Sequence, residues 1–184
     1  MIEVKISGRG GQGAVLASQV LATAFFEKGF YVQSFPSFGA ERRGAPVSAF
    51  LRVDSKEITL RYSVLYPDWM VLFDANLLKN PMVMAGTSGR TSLLVNTGHT
   101  QGLEVPECKG LYAVDATSIA EELKLRTTSF SMVNTAMVGA FAKASGLLDL
   151  ESVEKVIARM APVKRESNVA AARKAFETVK EVSR

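Results

Sequence analysis

The stretch Gly8-Arg9-Gly10-Gly11-Gln12-Gly13 constrains the fold more than any other. Ahead of it, Ile2, Val4 and Ile6 alternate with Glu3, Lys5 and Ser7, the two-residue period of a short strand. Behind it, Ala14 to Ala22 combines strong helix formers with apolar residues at helical spacing. A strand that passes through a glycine loop into a helix points backbone N–H groups and the positive end of a helix dipole at an anion. Glycine suits such a loop because it takes φ > 0 and lets a ligand approach the main chain. The pattern predicts a phosphate-bearing ligand without saying which one.

The rest of the chain reads as an open α/β sheet. The first helix is expected from Ala14 to Lys28, stopping at Gly29. Phe30 to Phe35 then reads as a second strand, forming a βαβ unit with the first. The loop from Pro36 to Pro46 carries Arg42 and Arg43 and leaves that strand on the edge where the glycine loop should lie. Val47–Val53 and Glu57–Arg61 predict a hairpin around Asp54-Ser55-Lys56. Three apolar runs, Trp69–Phe73, Leu93–Val95 and Leu111–Val114, end in Asp74, Asn96 and Asp115, and ligands of open α/β sheets bind outside such carboxyl ends. Helical patterns cover Ser131–Ala144, Leu150–Met160 and Asn168–Val182. The expected architecture is one domain over residues 1–184: a Rossmann-like open sheet, mainly parallel with an antiparallel hairpin, followed by C-terminal helices.

Composition removes several classes of function. Hydrophobic residues make up 47% and charged residues 22%, as in a soluble globular protein, and no apolar run reaches the roughly 18 residues of a membrane span. The chain starts directly in a strand pattern, so no signal peptide is expected and the expected location is the cytoplasm. The single cysteine, Cys108, excludes an internal disulfide framework and a self-contained four-cysteine iron–sulfur or zinc site. The formal charge of +4 is mild and suits anionic small molecules or acidic protein partners. No block of like charge or aromatic-basic stripe points to nucleic acid.

The glycines match G-x-G-x-x-G through Gly8, Gly10 and Gly13. The nicotinamide version needs an acid about 20 positions further on, where this chain has Ser34-Phe35-Pro36. Arg42 or Arg43 could meet a 2′-phosphate, so NADP fits better than NAD; a nucleoside-triphosphate loop is disfavoured because no Lys-Ser or Lys-Thr pair follows the glycines. A tight turn with no ligand is the plain alternative. Arg42 and Arg43, beside Glu41, read as a solvated ion-paired surface, a phosphate clamp or an interface anchor. Asp74, Asn96 and Asp115 read as helix or turn caps, His99 as a surface-loop residue and Cys108 as incidental. Trp69, Met132, Met137 and Met160 read as core. No Ser-His-Asp set, metal cluster or diagnostic carboxylate pair emerges, so no catalytic or metal-ligating residue is assigned; the pattern favours a subunit that binds and leaves the reaction to other chains.

Taken together, Gly8-Arg9-Gly10-Gly11-Gln12-Gly13-Ala14 and Ser37-Phe38-Gly39-Ala40-Glu41-Arg42-Arg43-Gly44-Ala45-Pro46-Val47 resemble the gamma subunit of 2-oxoacid:ferredoxin oxidoreductases, of which pyruvate synthase is the best-known member. Leu94-Val95-Asn96, Val114-Asp115-Ala116-Thr117 and Asn134 to Phe141 extend the resemblance over nearly the whole chain. It implies a non-autonomous subunit of a cytoplasmic complex of anaerobic metabolism, which decarboxylates a 2-oxoacid, passes electrons to ferredoxin and forms an acyl-coenzyme A. The implied partners are alpha, beta and delta subunits, which would hold thiamine diphosphate, Mg and 4Fe-4S clusters. The gamma part is implicated in coenzyme A binding and assembly, and Gly8, Gly10, Gly11, Gln12, Gly13, Ser37, Arg42 and Arg43 become its candidate binding residues. Pyruvate is the first expectation for the substrate, with 2-oxoglutarate and branched-chain 2-oxoacids as alternatives. A purely structural subunit and a free-standing NADP-binding reductase are the readings of other classes. Whether the isolated chain forms a homodimer stays open.

Overall fold

A computed structural model describes residues 1–37, 46–128 and 130–183. The chain runs β1 (Ile2–Arg9), α1 (Ala14–Glu27), β2 (Tyr31–Ser37), β3 (Pro46–Asp54), β4 (Trp69–Leu72), a 3-10 turn (Ala75–Lys79), α2 (Pro81–Met84), β5 (Ser92–Asn96), β6 (Gly110–Val114), α3 (Ala116–Glu122), α4 (Asn134–Ser145), α5 (Leu150–Met160), α6 (Arg165–Thr178) and β7 (Lys180–Glu181). Among the described residues, no helix is long and apolar enough to cross a membrane.

The strands form one open sheet in the order β2-β3-β1-β4-β5-β6-β7. Parallel pairing links β1, β4, β5 and β6, while β3 and β7 run against their neighbours. The expected α/β open sheet with C-terminal helices is therefore what the chain forms. The central strands are covered on both faces, which is why they read as unbroken apolar runs. Val71, Leu94 and Val114 face the large core shared with α1, α4, α5 and α6, whereas Met70, Leu72, Leu93 and Val95 face a smaller core closed by Leu77, Val83 and Cys108. Cys108, expected to be incidental in a loop, is a buried member of this second core.

Two expectations about the sheet need correction. Strands β1 and β2 do not lie side by side; β3 is inserted between them and pairs along the whole of β1, from Ile2 with Val53 to Arg9 with Pro46. The antiparallel hairpin consists of β2 and β3, and Glu57–Arg61 is not a strand. With β1 on one side of β3 and β2 on the other, β3 is an interior strand. Pro36 is tolerated in β2 because β2 is the edge strand, where a missing N–H breaks no ladder.

The helical boundaries shift for local reasons. Ser131 forms an isolated antiparallel bridge with Arg126, so α4 starts at Asn134 rather than Ser131. The last helix ends at Thr178, and Lys180–Glu181 adds a two-residue strand on the free edge of β6. Trp69 packs its ring against Tyr112 and Phe141, at centroid distances of 5.5 and 5.4 Å, bridging β4, β6 and α4.

Candidate phosphate-binding edge

The ladder registers bring the ends of β1, β2 and β3 to one edge of the sheet. Ser7 pairs with Ser48, which pairs in turn with Ser37, and the Ser7 and Ser48 hydroxyls lie 2.8 Å apart. Pro46 pairs with Arg9, so the chain leaves β2 and re-enters β3 beside the glycine loop. Arg42 and Arg43 lie outside the described residues; Ser37, the exposed last residue of β2, lies within them.

The six residues of the loop divide into two kinds. Gly8 belongs to β1, and a Cβ there would come 3.2 Å from both Gln12 Oε1 and Phe73 Cβ. Leaving that space empty lets Gln12 fold back: the Arg9 N–H donates to Gln12 Oε1 at 2.7 Å, and the Gln12 N–H donates to the Arg9 carbonyl at 3.1 Å. The Gln12 carboxamide oxygen is thus committed to closing the turn. Gly10 is different, because a Cβ there would meet nothing within 4 Å. Gly11 and Gly13 take φ of +98° and +85°, where other residues are strained.

Gly13 caps α1 with its carbonyl, which accepts from the Ala17 N–H at 2.9 Å, and no side chain caps the helix. The N–H groups of the first turn are therefore left to an external acceptor. No acidic side chain sits in that first turn, and the same holds for α4. The start of α6 also has no side-chain cap, but Glu166 occupies its first turn. The Arg9 Nε donates to Asp74 Oδ2 at 2.6 Å, which holds a partly exposed guanidinium at the mouth of the loop.

Two residues outside the expected set border the loop. The Phe130 ring lies over Gly11, 3.3 Å from where its Cβ would be. Asn134, the first residue of α4, lies against Gly13, and a Cβ on Gly13 would come 2.9 Å from Asn134 Nδ2. Asn134 is 1% exposed and its Oδ1 has no hydrogen-bond partner. An unpaired buried amide costs about 1–3 kcal/mol, so its retention asks for a reason. Neither residue has a recognisable spacing relative to the glycines; Asn134 was visible only as part of the family resemblance.

The other polar strand ends are structural, as the cap reading expected. Asp74 accepts from the Asn76 N–H, and Asp115 accepts from the Ser118 N–H at 2.9 Å. Asn96 donates from Nδ2 to the Phe73 carbonyl and to Thr117 Oγ1, both at 2.9 Å, and accepts from the Thr117 N–H at 3.2 Å. His99 is exposed in its loop. Lys5 and Arg52 are buried on the opposite face of the sheet from α1. Lys5 donates to the Val83 carbonyl at 2.6 Å, and burial pushes its ammonium below the ordinary lysine value. Arg52 is fully buried between Glu3 and Gln33, under the rings of Phe35 and Tyr62.

The larger concavities lie elsewhere. A groove of about 620 Å³ along α5 and α6 is lined by Arg165, Val169 and Arg173 among others, and one of about 540 Å³ lies at the end of β6 by Asp115 and Ser118. Neither contains a residue of the glycine loop, whose features of interest are its free donors rather than its volume. Among the described residues, no group of three or more His, Cys, Asp or Glu side chains could hold a metal ion.

Residues 3–178 match the model of the pyruvate ferredoxin/flavodoxin oxidoreductase family. The chain is 43% identical over 184 residues to pyruvate synthase subunit PorC of Methanothermobacter thermautotrophicus, covering 99% of this chain and 98% of that one. It is 45% identical over 182 residues to the pyruvate/ketoisovalerate oxidoreductases common subunit gamma of Pyrococcus abyssi, covering 96% of each. The crystal structure of pyruvate oxidoreductase subunit PORC from Thermotoga maritima matches this fold with a TM-score of 0.82 at 36% identity, over 99% of this chain and 98% of that one.

Proposed function

The chain belongs to the pyruvate ferredoxin/flavodoxin oxidoreductase family as a gamma-type subunit, and on that premise we propose that its glycine-loop edge binds the phosphate groups of coenzyme A within a multisubunit 2-oxoacid:ferredoxin oxidoreductase. The observation that carries this reading is the start of α1: a helix with no side-chain cap and no first-turn acid, entered through Gly13 at positive φ beside the open Gly10. Arg9 adds a cation at the mouth, and Arg42 and Arg43, on the connection between Ser37 and Pro46, supply charge-assisted bonds to the same phosphates. Gly8 and Gln12 shape the turn from behind; Gly10, Gly11 and Gly13 present it.

The subunit's contribution is orientation. Holding the phosphates at this edge directs the thiol end of coenzyme A toward the reacting centre on a partner subunit, and fixing two reactants relative to one another is a large rate effect. Thiamine diphosphate, Mg and the 4Fe-4S clusters sit in the partner alpha, beta and delta chains, consistent with one buried cysteine here. Pyruvate is the 2-oxoacid the reading favours, because pyruvate appears in the names of the relatives. The Pyrococcus abyssi relative is a subunit common to pyruvate and ketoisovalerate enzymes, which supports a second reading: one gamma chain serving both, with the 2-oxoacid chosen by its partners. A nicotinamide site is less well served, because β3 occupies the place beside β1 that β2 takes in a dinucleotide fold.

The test uses the whole complex. A Cβ at Gly10 meets nothing within 4 Å, and Gly10→Glu sets a negative charge in the anion site, so KM for coenzyme A should rise by about tenfold or more while the complex still assembles. Arg42→Ala with Arg43→Ala should raise it as well. Loss of assembly with coenzyme A affinity intact in whatever complex remains would make the subunit purely structural.

A further inference from the structure

Two helix ends meet at this edge, and only one of them belongs to the glycine loop. Gly13 precedes α1, Asn134 opens α4, and the two residues touch: a Cβ on Gly13 would lie 2.9 Å from Asn134 Nδ2 and 3.1 Å from Asn134 Cβ. The helices are 14 and 12 residues long, enough for a full terminal dipole at each. Neither has a side-chain cap or an acid in its first turn. Between them sits a carboxamide that is 1% exposed and has an unpaired Oδ1. The buried Oδ1 is turned inward, while the Nδ2 donor edge lies on the side of Gly13 and the loop.

We propose that the start of α4 and the Asn134 carboxamide form the second wall of the site and that the two helix ends together hold a diphosphate ester. This rests on the reading of the glycine loop as the coenzyme A phosphate site. Two adjoining phosphoryl groups match two adjoining helix ends, with the Asn134 NH₂ donating to an oxygen between them. A lone phosphate monoester needs only one helix end. The part of coenzyme A held here is therefore its diphosphate bridge, and the 3′-phosphate lies outside the grip of α1 and α4.

The assembled complex, carrying Asn134→Asp in this chain, provides the test. The substitution keeps the side chain's outline, replaces the donor edge with a second acceptor, and places a negative charge where a helix start tolerates it. Asn134→Ala, which only deletes the amide, is measured alongside in case the aspartate variant fails to assemble. Inorganic pyrophosphate should compete with coenzyme A in the unaltered complex. In the variants, KM for coenzyme A and the inhibition constant for pyrophosphate should rise together, by about tenfold, with kcat at saturating coenzyme A nearly unchanged. The same rise is expected with 3′-dephospho-coenzyme A as substrate. A rise that vanishes with 3′-dephospho-coenzyme A, or one not shared by pyrophosphate, would overturn the assignment to the diphosphate. If Gly10→Glu raises KM and neither Asn134 variant does, the second wall is wrong and the glycine loop reading stands. If none of them moves KM, both readings fall.

Discussion

At the ends of β4, β5 and β6, the side chains of Asp74, Asn96 and Asp115 turn back onto the chain and accept from the N–H groups of Asn76, Thr117 and Ser118. At the end of β1, on the same sheet edge, the chain passes through glycines into a helix with no side-chain cap, and the buried Asn134 Oδ1 has no hydrogen-bond partner. The two halves share strand direction, burial and a position outside the carboxyl ends. They differ in whether the polar groups are already used. A donor that already serves the fold is a poor ligand contact, because binding must first break the internal bond. The unfinished half is therefore the one proposed to bind, although the finished half carries more of the acids that a search for catalytic residues would select.

The finished half should be the more costly to disturb. Asn96→Leu removes three hydrogen bonds and strands the Phe73 carbonyl and the Thr117 N–H, so it should destabilise the chain by about 3 kcal/mol, read by denaturant unfolding. It should leave KM for coenzyme A unchanged in the complex that survives, and a raised KM would erase the distinction between the halves. Gly13→Ala comes next, because it forces alanine to φ near +85° and drives its Cβ against Asn134; about 2 kcal/mol is expected. The part of the clash made by Nδ2 and Cγ should be relieved by Asn134→Ala, so a double-mutant cycle should show favourable coupling. Additive costs would mean that the two helix ends do not touch.

The smallest effect concerns the far end of α1. Asp149 caps α5 and pairs with Lys28, and these bonds hold its carboxyl well below the ordinary value of 3.8. A carboxyl held low contributes stability above its unfolded-state value and loses it as the pH falls toward the folded-state one. Asp149 is half exposed, so the contribution is modest. The Tm gap between the parent chain and Asp149→Asn should thus be present near about pH 6 and shrink steadily below about pH 4. A gap that is constant across this range would assign the effect to packing instead of charge.

Much of this was legible in the sequence because the signals are local. The strand–glycine–helix unit, the apolar runs of β4, β5 and β6, and the capping roles of Asp74 and Asp115 depend on neighbours a few residues away. Strand order does not. Nothing in Val47–Val53 says that β3 will slide between β1 and β2, since the choice is made by eight pairs with β1 that no short window contains. Asn134 was hidden for the same reason, because it meets Gly13 only after α1 and α4 pack together. Nor does the glycine pattern separate residues that close the turn, as Gly8 and Gln12 do, from Gly10, which stands open.

The sheet's outer strands carry a further consequence. One edge is β2, with Pro36 as its penultimate residue, and the other is β7, only two residues long. Both offer a poor template to another strand, the first for lack of an N–H and the second for lack of length. A gamma chain synthesised ahead of its partners is thereby protected against growing, edge on edge, into an aggregate of its own kind, and keeps its contact surfaces available for unlike subunits.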